Sequence, residues 1–161
     1  MSACRLNLAE GGIAHNRPYP LVNFQIGMVL FVGFRSEADL SNVTISLKND
    51  TNKDVLKVIV DERRILLTSD LTKGTSGTPL PAVHQTDQNI LLAGNAMIAR
   101  FEMQSDCFMV EFTDSDVPKS DVGLMLGYGV GDERIDPRTV QSVTVEGEGV
   151  VFNQLKYCFM I

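Results

Sequence analysis

The 161-residue sequence lacks a long apolar run, and this absence limits where the protein is expected to reside. Its first residues, Met1 to Asn7, hold no apolar stretch of the about 7–15 residues that a signal peptide needs. The longest dense apolar stretch, Met28 to Phe34, is interrupted by Gly33 and is far shorter than a membrane-spanning helix of about 20 residues. We therefore expect a protein that is cytoplasmic at synthesis and not inserted into a membrane, with secretion by a route that needs no signal peptide left open.

Cysteine is also scarce. The chain contains three cysteines, Cys4, Cys107 and Cys158, which are widely spaced and form no Cys-x-x-Cys pair. An odd number in this pattern argues against a disulfide framework and against a zinc site. We expect reduced thiols that behave as small hydrophobic side chains where they fall in strands.

Basic residues form no block anywhere in the chain. With 14 Lys+Arg against 20 Asp+Glu, the formal net charge is −6. A nucleic-acid binder is expected to carry a basic patch, and a protein of anionic membrane surfaces a basic amphipathic segment. Since the sequence shows neither, we predict no nucleic-acid partner and a neutral or weakly charged ligand instead.

Residues typical of catalysis and metal binding are few as well. The two histidines, His15 and His84, have no Ser, Cys or carboxylate beside them in a recognisable catalytic motif. The acidic segments near Asp114 and Asp132 lack EF-hand spacing, and the glycines from Gly127 onward lack the Lys-Ser/Thr of a P-loop. We expect no enzyme activity, no metal and no cofactor. A hydrolase would need a pair of carboxylates that only the fold could bring together.

Short segments rich in β-branched and aromatic residues recur along the chain, separated by turn formers. In the segment 42–48, Val43, Ile45 and Leu47 alternate with polar residues, which is the period of a half-buried strand. The same reasoning predicts strands at Cys4–Leu8, Met28–Phe34, Asn42–Lys48, Val55–Val60, Arg64–Thr68, Ala96–Met103, Cys107–Thr113, Gly123–Tyr128, Val140–Glu146 and Val150–Phe159. Evenly spaced short strands predict an all-β fold, an antiparallel sandwich or barrel. The length suits one domain over residues 1–161, with an N-terminal strand and loop at 1–19.

The order of these strands resembles the galectin family. Residues 20–34 resemble the family's opening Phe-x-x-Gly-x-x-Leu-x-x-x-Gly pattern, and residues 96–103 with 107–112 resemble its paired later strands. Residues 140–152 resemble the closing strand, glycine turn and final strand. The resemblance implies a jelly-roll, concanavalin-like sandwich of two antiparallel sheets that binds a carbohydrate on its concave sheet without catalysis.

The galactose signature of that family does not carry over. The family has His-x-Asn-x-Arg on one strand, an Asn on the next and Trp-x-x-Glu-x-Arg on a third. The matching positions here are occupied by Lys57, Ile59 and Asp61, by Thr68, and by Leu80, Val83 and Gln85. The sequence contains no tryptophan, so the indole that stacks on the apolar face of galactose is missing. The similar letters His15-Asn-Arg17 precede the first family strand, and we interpret them as a terminal loop.

These observations predict a galectin-like lectin with altered glycan specificity and weak affinity. Its candidate carbohydrate contacts are polar residues expected on one sheet face: Lys57, Asp61, Arg64, Thr68, His84 and Gln85. An ordinary solvated sheet face would account for the same residues. The alternative function is a protein-interaction or self-associating β-sandwich that has lost sugar binding. In that case edge strands and the apolar C-terminal residues 157–161 would form a symmetric dimer.

Overall fold

The computed structural model describes residues 2–10, 12–38, 41–70, 82–85, 91, 93–114, 122–129 and 134–160. These residues form strands β1 (Ser2–Glu10), β2 (Tyr19–Pro20), β3 (Met28–Ser36), β4 (Asn42–Lys48), β5 (Asp54–Val60), β6 (Arg64–Thr68), β7 (Ala82–Gln85), β8 (Ala96–Met103), β9 (Cys107–Asp114), β10 (Val122–Gly127), β11 (Ser142–Glu148) and β12 (Val150–Met160). A short 3-10 helix spans Pro137–Thr139 before β11.

The strands assemble into two six-stranded sheets. Sheet 1 has the order β1-β12-β3-β8-β9-β10, and sheet 2 has the order β2-β11-β4-β5-β6-β7. Neighbouring strands are antiparallel throughout both sheets. The all-β antiparallel sandwich expected from the sequence is therefore confirmed.

Each strand expected from the sequence corresponds to an observed strand. The two-residue β2 is too short to leave a periodic signal, and β11 begins at Ser142 where the sequence suggested Val140. The later start has a local cause, because Asp136 caps the 3-10 helix by accepting a hydrogen bond from the Arg138 N–H at 3.0 Å. The Arg138 guanidinium also hydrogen-bonds the Asp136 carboxylate and holds the pKa of that carboxyl below its usual value.

The hydrophobic core lies between the two sheets. Val43 and Ile45 of β4 in sheet 2 are fully buried, as are Leu30 and Val32 of β3 in sheet 1, and all belong to one cluster. A fully buried aliphatic side chain contributes about 1.5–3 kcal/mol relative to an exposed one. Along β6 and β8, period-two alternation thus directs one side of the strand into the core and leaves the other side half-buried. Strand β3 is buried on both sides over most of its length.

The cysteines correct one expectation from the sequence. Cys158 on β12 is disulfide-bonded, so the prediction that all thiols are reduced is wrong. Its Cα is paired across β1 and β12 with that of Cys4, because the two ends of the chain form neighbouring strands. Cys107 on β9 is a free thiol, 7% exposed, and burial, reinforced by Asp106, raises its pKa.

The described residues contain neither a membrane-spanning helix nor a cluster of metal ligands. No helix among these residues is long and apolar enough to cross a membrane. Within the same residues, no three His, Cys, Asp or Glu side chains converge on a point where a metal ion would sit.

Candidate functional site

Side chains of β5 alternate between the core and the outer face of sheet 2. Val58 and Val60 are fully buried, whereas Lys57 and Ile59 are half-buried, and so is Asp61 just beyond the strand. A period of two then places Lys57, Ile59 and Asp61 together on the outer face. This is the face on which the sequence predicted them to lie.

Strand β6 contributes the next outward side chains. Ile65 and Leu67 are fully buried, so Arg64, Leu66 and Thr68, which are half-buried, point to the outer face. The strand is short because Asp61 and Arg64 close a tight hairpin at its start, where the Asp61 N–H donates to the Arg64 carbonyl at 3.0 Å.

The register of β5, β6 and β7 pairs the polar candidates across strands. Lys57 lies opposite Thr68, and Arg64 lies opposite Gln85 of the edge strand β7. Directly opposed residues on one face have Cβ atoms about 4.5–5.5 Å apart, which is close enough for both members of a pair to contact the same small ligand.

Between these polar pairs runs a row of aliphatic side chains. Ile59 lies opposite Leu66, and Leu66 lies opposite Val83, which is 49% exposed. We call Ile59, Leu66 and Val83 the aliphatic row. On the other side of β5, Thr44 of β4 lies opposite Ile59 and continues the line toward β11.

His84 does not share the outer face with the other candidates. It lies opposite Ile65, a fully buried residue, so the alternation of β7 turns it away from Val83 and Gln85. The structure therefore brings together Lys57, Asp61, Arg64, Thr68 and Gln85 but separates His84 from them. Leu80, which was matched to the family's tryptophan, lies outside the described residues.

Asp61 and Arg64 form an ion pair at one end of the site. The Arg64 Nε atom lies 3.5 Å from Asp61 Oδ2, and the two side chains are 43% and 40% exposed. Asp61 Oδ1 also accepts a hydrogen bond from the Arg63 N–H at 3.0 Å. Since exposed pairs contribute at most about 1 kcal/mol to stability, the main effect is to present a carboxylate and a guanidinium side by side on the outer face.

A cavity of about 330 Å³ lies at the β4–β11 end of the same face, and the sequence analysis missed it. It is lined by His15, Asn16, Asn42, Thr44, Glu146, Gly147 and Glu148. The loop that was interpreted as merely terminal forms one wall, because the Asn16 N–H donates to the Val145 carbonyl at 2.9 Å. Alternation along β11 signals that Glu146 and Glu148 face outward, but the docking of the loop has no local sequence signal.

Among the comparisons with known proteins, only that with solved structures bears on the fold. No protein-family model matches the chain, and no curated protein matches it. Among solved structures, sheep galectin-11 in complex with glycerol is similar over 91% of this chain and 99% of its own, with a TM-score of 0.67 and 9% identity. The Caenorhabditis elegans galectin LEC-6 gives a TM-score of 0.64 at 14% identity, covering 92% of this chain and 94% of its own. A single-residue variant of human galectin-16 gives 0.64 at 12% identity, covering 94% and 100%. The chain thus has a galectin-like fold.

Non-covalent binding is the chemistry that this outer face supports. The guanidinium of Arg64 and the ammonium of Lys57 are hydrogen-bond donors, the Asp61 carboxylate is an acceptor, and Thr68 and Gln85 offer both functions. The aliphatic row between them provides an apolar surface. Such a mixed surface can recognise a small ligand that is itself apolar on one side and polar at its margins.

Proposed function

We propose that the outer face of sheet 2, at β5, β6 and β7, binds a carbohydrate and that the protein is a lectin without enzymatic activity. The observation that carries the proposal is the arrangement of two sets of polar side chains on either side of the aliphatic row. Lys57 and Thr68 lie on one side, and Asp61, Arg64 and Gln85 lie on the other. A sugar ring matches this pattern, because its C–H groups form an apolar face and its hydroxyls project from the margin.

The specificity of the proposed site differs from galactose recognition. An ammonium, a carboxylate and a threonine hydroxyl occupy positions that resemble those of the family's His, Arg and Asn, so the set of donors and acceptors is changed. The chain has no tryptophan, and only aliphatic side chains can support the apolar face of the sugar. Because stacking on an aromatic ring is lost, the affinity for one saccharide unit is expected to be low.

A glycan array probed with the purified protein tests this proposal. Arg64→Ala should reduce the signal at least tenfold, because a hydrogen bond to a charged group contributes about 1.5–3 kcal/mol. Arg134→Ala is the matched control, since Arg134 is an exposed arginine outside sheet 2. Absence of binding to every glycan, or equal loss of binding in both variants, would reject the site.

Self-association is a second candidate function, favoured by an apolar patch near the C-terminus. Val22 is 59% exposed, Ile26 is 47% exposed and Phe159 is 36% exposed. The Phe159 ring lies beside Gly27, while Tyr157 and Cys158, which the sequence placed in the same dimer segment, are buried. A homodimer that covers this patch should persist on dilution in light-scattering measurements and should dissociate in Phe159→Asp.

The disulfide of Cys158 supports a location outside the reducing cytoplasm after synthesis. Disulfides persist mainly in oxidising environments, so secretion after cytoplasmic synthesis would reconcile the two observations. A glycan partner on a cell surface or in an extracellular matrix fits this location.

A further inference from the structure

The aliphatic row is the least expected feature of a sugar-binding face. Ile59, Leu66 and Val83 are directly opposed on three adjacent strands, so their Cβ atoms form a line with a spacing of about 4.5–5.5 Å. With strands about 4.8 Å apart, the row is about 10 Å long. Nothing in the formation of the core requires it, because the opposite side of each strand already supplies the buried residues.

The width of the row limits what can occupy it. The flanking polar side chains on β5, Lys57 and Asp61, are each two residues from Ile59, or about 6.7 Å along the strand. The same spacing separates Thr68 and Arg64 from Leu66 on β6. The apolar strip is therefore one side chain wide, with hydrogen-bonding groups on both borders.

The exposed apolar area is too small for a protein partner. Side-chain burial worth about 1.5–3 kcal/mol at about 25 cal/mol per Å² corresponds to about 60–120 Å² for each aliphatic residue. Because Ile59 and Leu66 are already half-buried and Val83 is 49% exposed, the row offers less than about 200 Å². A standard protein interface buries about 800 Å² on each partner, more than half of it non-polar, so the row alone is too small to supply that apolar part. One or two sugar rings fit this area much better.

A fully hydroxylated ring complements the row only through the C–H groups of its apolar face. Any hydroxyl placed on Ile59, Leu66 or Val83 loses its water without gaining a hydrogen bond, which opposes binding. A methyl group in the same place removes apolar surface from water on both sides. We infer that the ligand of this face is a methyl-bearing saccharide, a 6-deoxyhexose or an O-methylated hexose, whose methyl group packs on the aliphatic row. This inference rests on the proposed lectin function.

Two pairs of saccharides provide the test: in one pair a CH2OH group is replaced by CH3, and in the other a hydroxyl gains a methyl group. Galactose is compared with 6-deoxygalactose of the same enantiomer, and glucose with 3-O-methylglucose, each immobilised at equal density. Where the methyl reaches the row, 3-O-methylglucose should bind about fourfold more tightly than glucose, which is about 0.8 kcal/mol for one buried carbon. 6-Deoxygalactose should gain at least as much over galactose, because it lacks the hydroxyl that would be buried without a hydrogen bond. Equal binding within both pairs overturns the inference while the lectin function stands. Absence of binding to any saccharide overturns both.

Two valine-to-threonine variants test whether the preference for the methyl-bearing saccharide depends on the aliphatic row. Val83→Thr replaces one methyl by a hydroxyl at nearly constant shape, and it should reduce the fourfold preference to less than twofold. Val151→Thr is the matched control, because Val151 is 46% exposed on β12 of sheet 1. It should leave the preference unchanged. An undiminished preference in Val83→Thr, or the same reduction in both variants, would show that the methyl group does not pack on the row.

Discussion

The two faces of sheet 2 should respond differently to the same chemical change, and valine-to-threonine substitutions measure the difference. Val58 on β5 is fully buried, and its cross-strand neighbours are Ile45 and Leu67, which are also fully buried. Val83 on β7 is 49% exposed on the outer face. Threonine has nearly the shape of valine, so neither substitution creates a large cavity, and the cost comes mainly from the added hydroxyl.

The surroundings of each valine determine how much the substitution lowers the free energy of unfolding. At Val58 the hydroxyl would face aliphatic neighbours, and a buried hydroxyl without a hydrogen bond costs about 1–3 kcal/mol. At Val83 the hydroxyl reaches solvent, and surface substitutions usually change stability by less than about 0.5 kcal/mol. For a chain of this length, a loss of about 2 kcal/mol lowers the melting temperature by about 4–8 °C.

Urea unfolding at constant pH, followed by circular dichroism, measures both variants. Val58→Thr should lower the unfolding midpoint without changing the slope of the free energy with urea concentration, and Val83→Thr should match the parent protein. Equal destabilisation of both variants, or a larger effect at Val83, would refute the assignment of the two faces. Val83→Thr could then not be used to test binding, because the substitution would also destabilise the fold.

Two further predictions concern the cysteines and the cavity lined by Glu146 and Glu148, which we call the acidic cavity. Reduction of the denatured protein should raise the number of titratable thiols by two, because the disulfide of Cys158 is opened. In the native state, Cys107 should resist alkylation near pH 8, because burial raises its pKa. Rapid labelling of Cys107 in the native protein would contradict the burial of this thiol. Replacing Glu146 and Glu148 by glutamine should strengthen the binding of carboxylated or sulfated glycans by about fivefold at low salt. This corresponds to the removal of charge repulsion on the order of 1 kcal/mol. The control Glu111→Gln on β9 should have no effect. Unchanged binding of anionic glycans would show that the cavity lies away from the ligand.

The sequence predicts the faces of the strands well, because a period of two is a local property. In β5, for example, Lys57 alternates with buried valines in the way that its charge requires, and Ile59 takes the same face because it lies two residues further along the strand. Each residue's side of the sheet follows from its neighbours in the chain, so ten strands could be placed before the sheet was known. The expected face of the candidate residues rests in addition on the resemblance to the galectin strands.

Contacts between segments that are distant in the sequence could not be predicted from the local pattern of residues. His84 was grouped with Gln85 as a polar neighbour, although adjacent residues on a strand must face opposite sides. The disulfide of Cys158 depends on β1 and β12 being neighbours, and the wall of the acidic cavity depends on Asn16 docking on Val145. These contacts join distant segments, so no short stretch of the sequence predicts them.

The independence of the two faces also accounts for the combination of a familiar fold with an unfamiliar site. The galectin-like topology depends on residues such as Val43, Val58 and Leu67, which pack between the sheets. None of them contributes a side chain to the outer face, so the outer residues can change their chemistry at little cost in stability. An aliphatic row can therefore stand where the resembled family has hydroxyl-binding side chains, while the strand register that positions it is retained. The ligand consequently has to be identified from the outer face alone, and on that face the aliphatic row and the flanking charges are the features that a saccharide would meet.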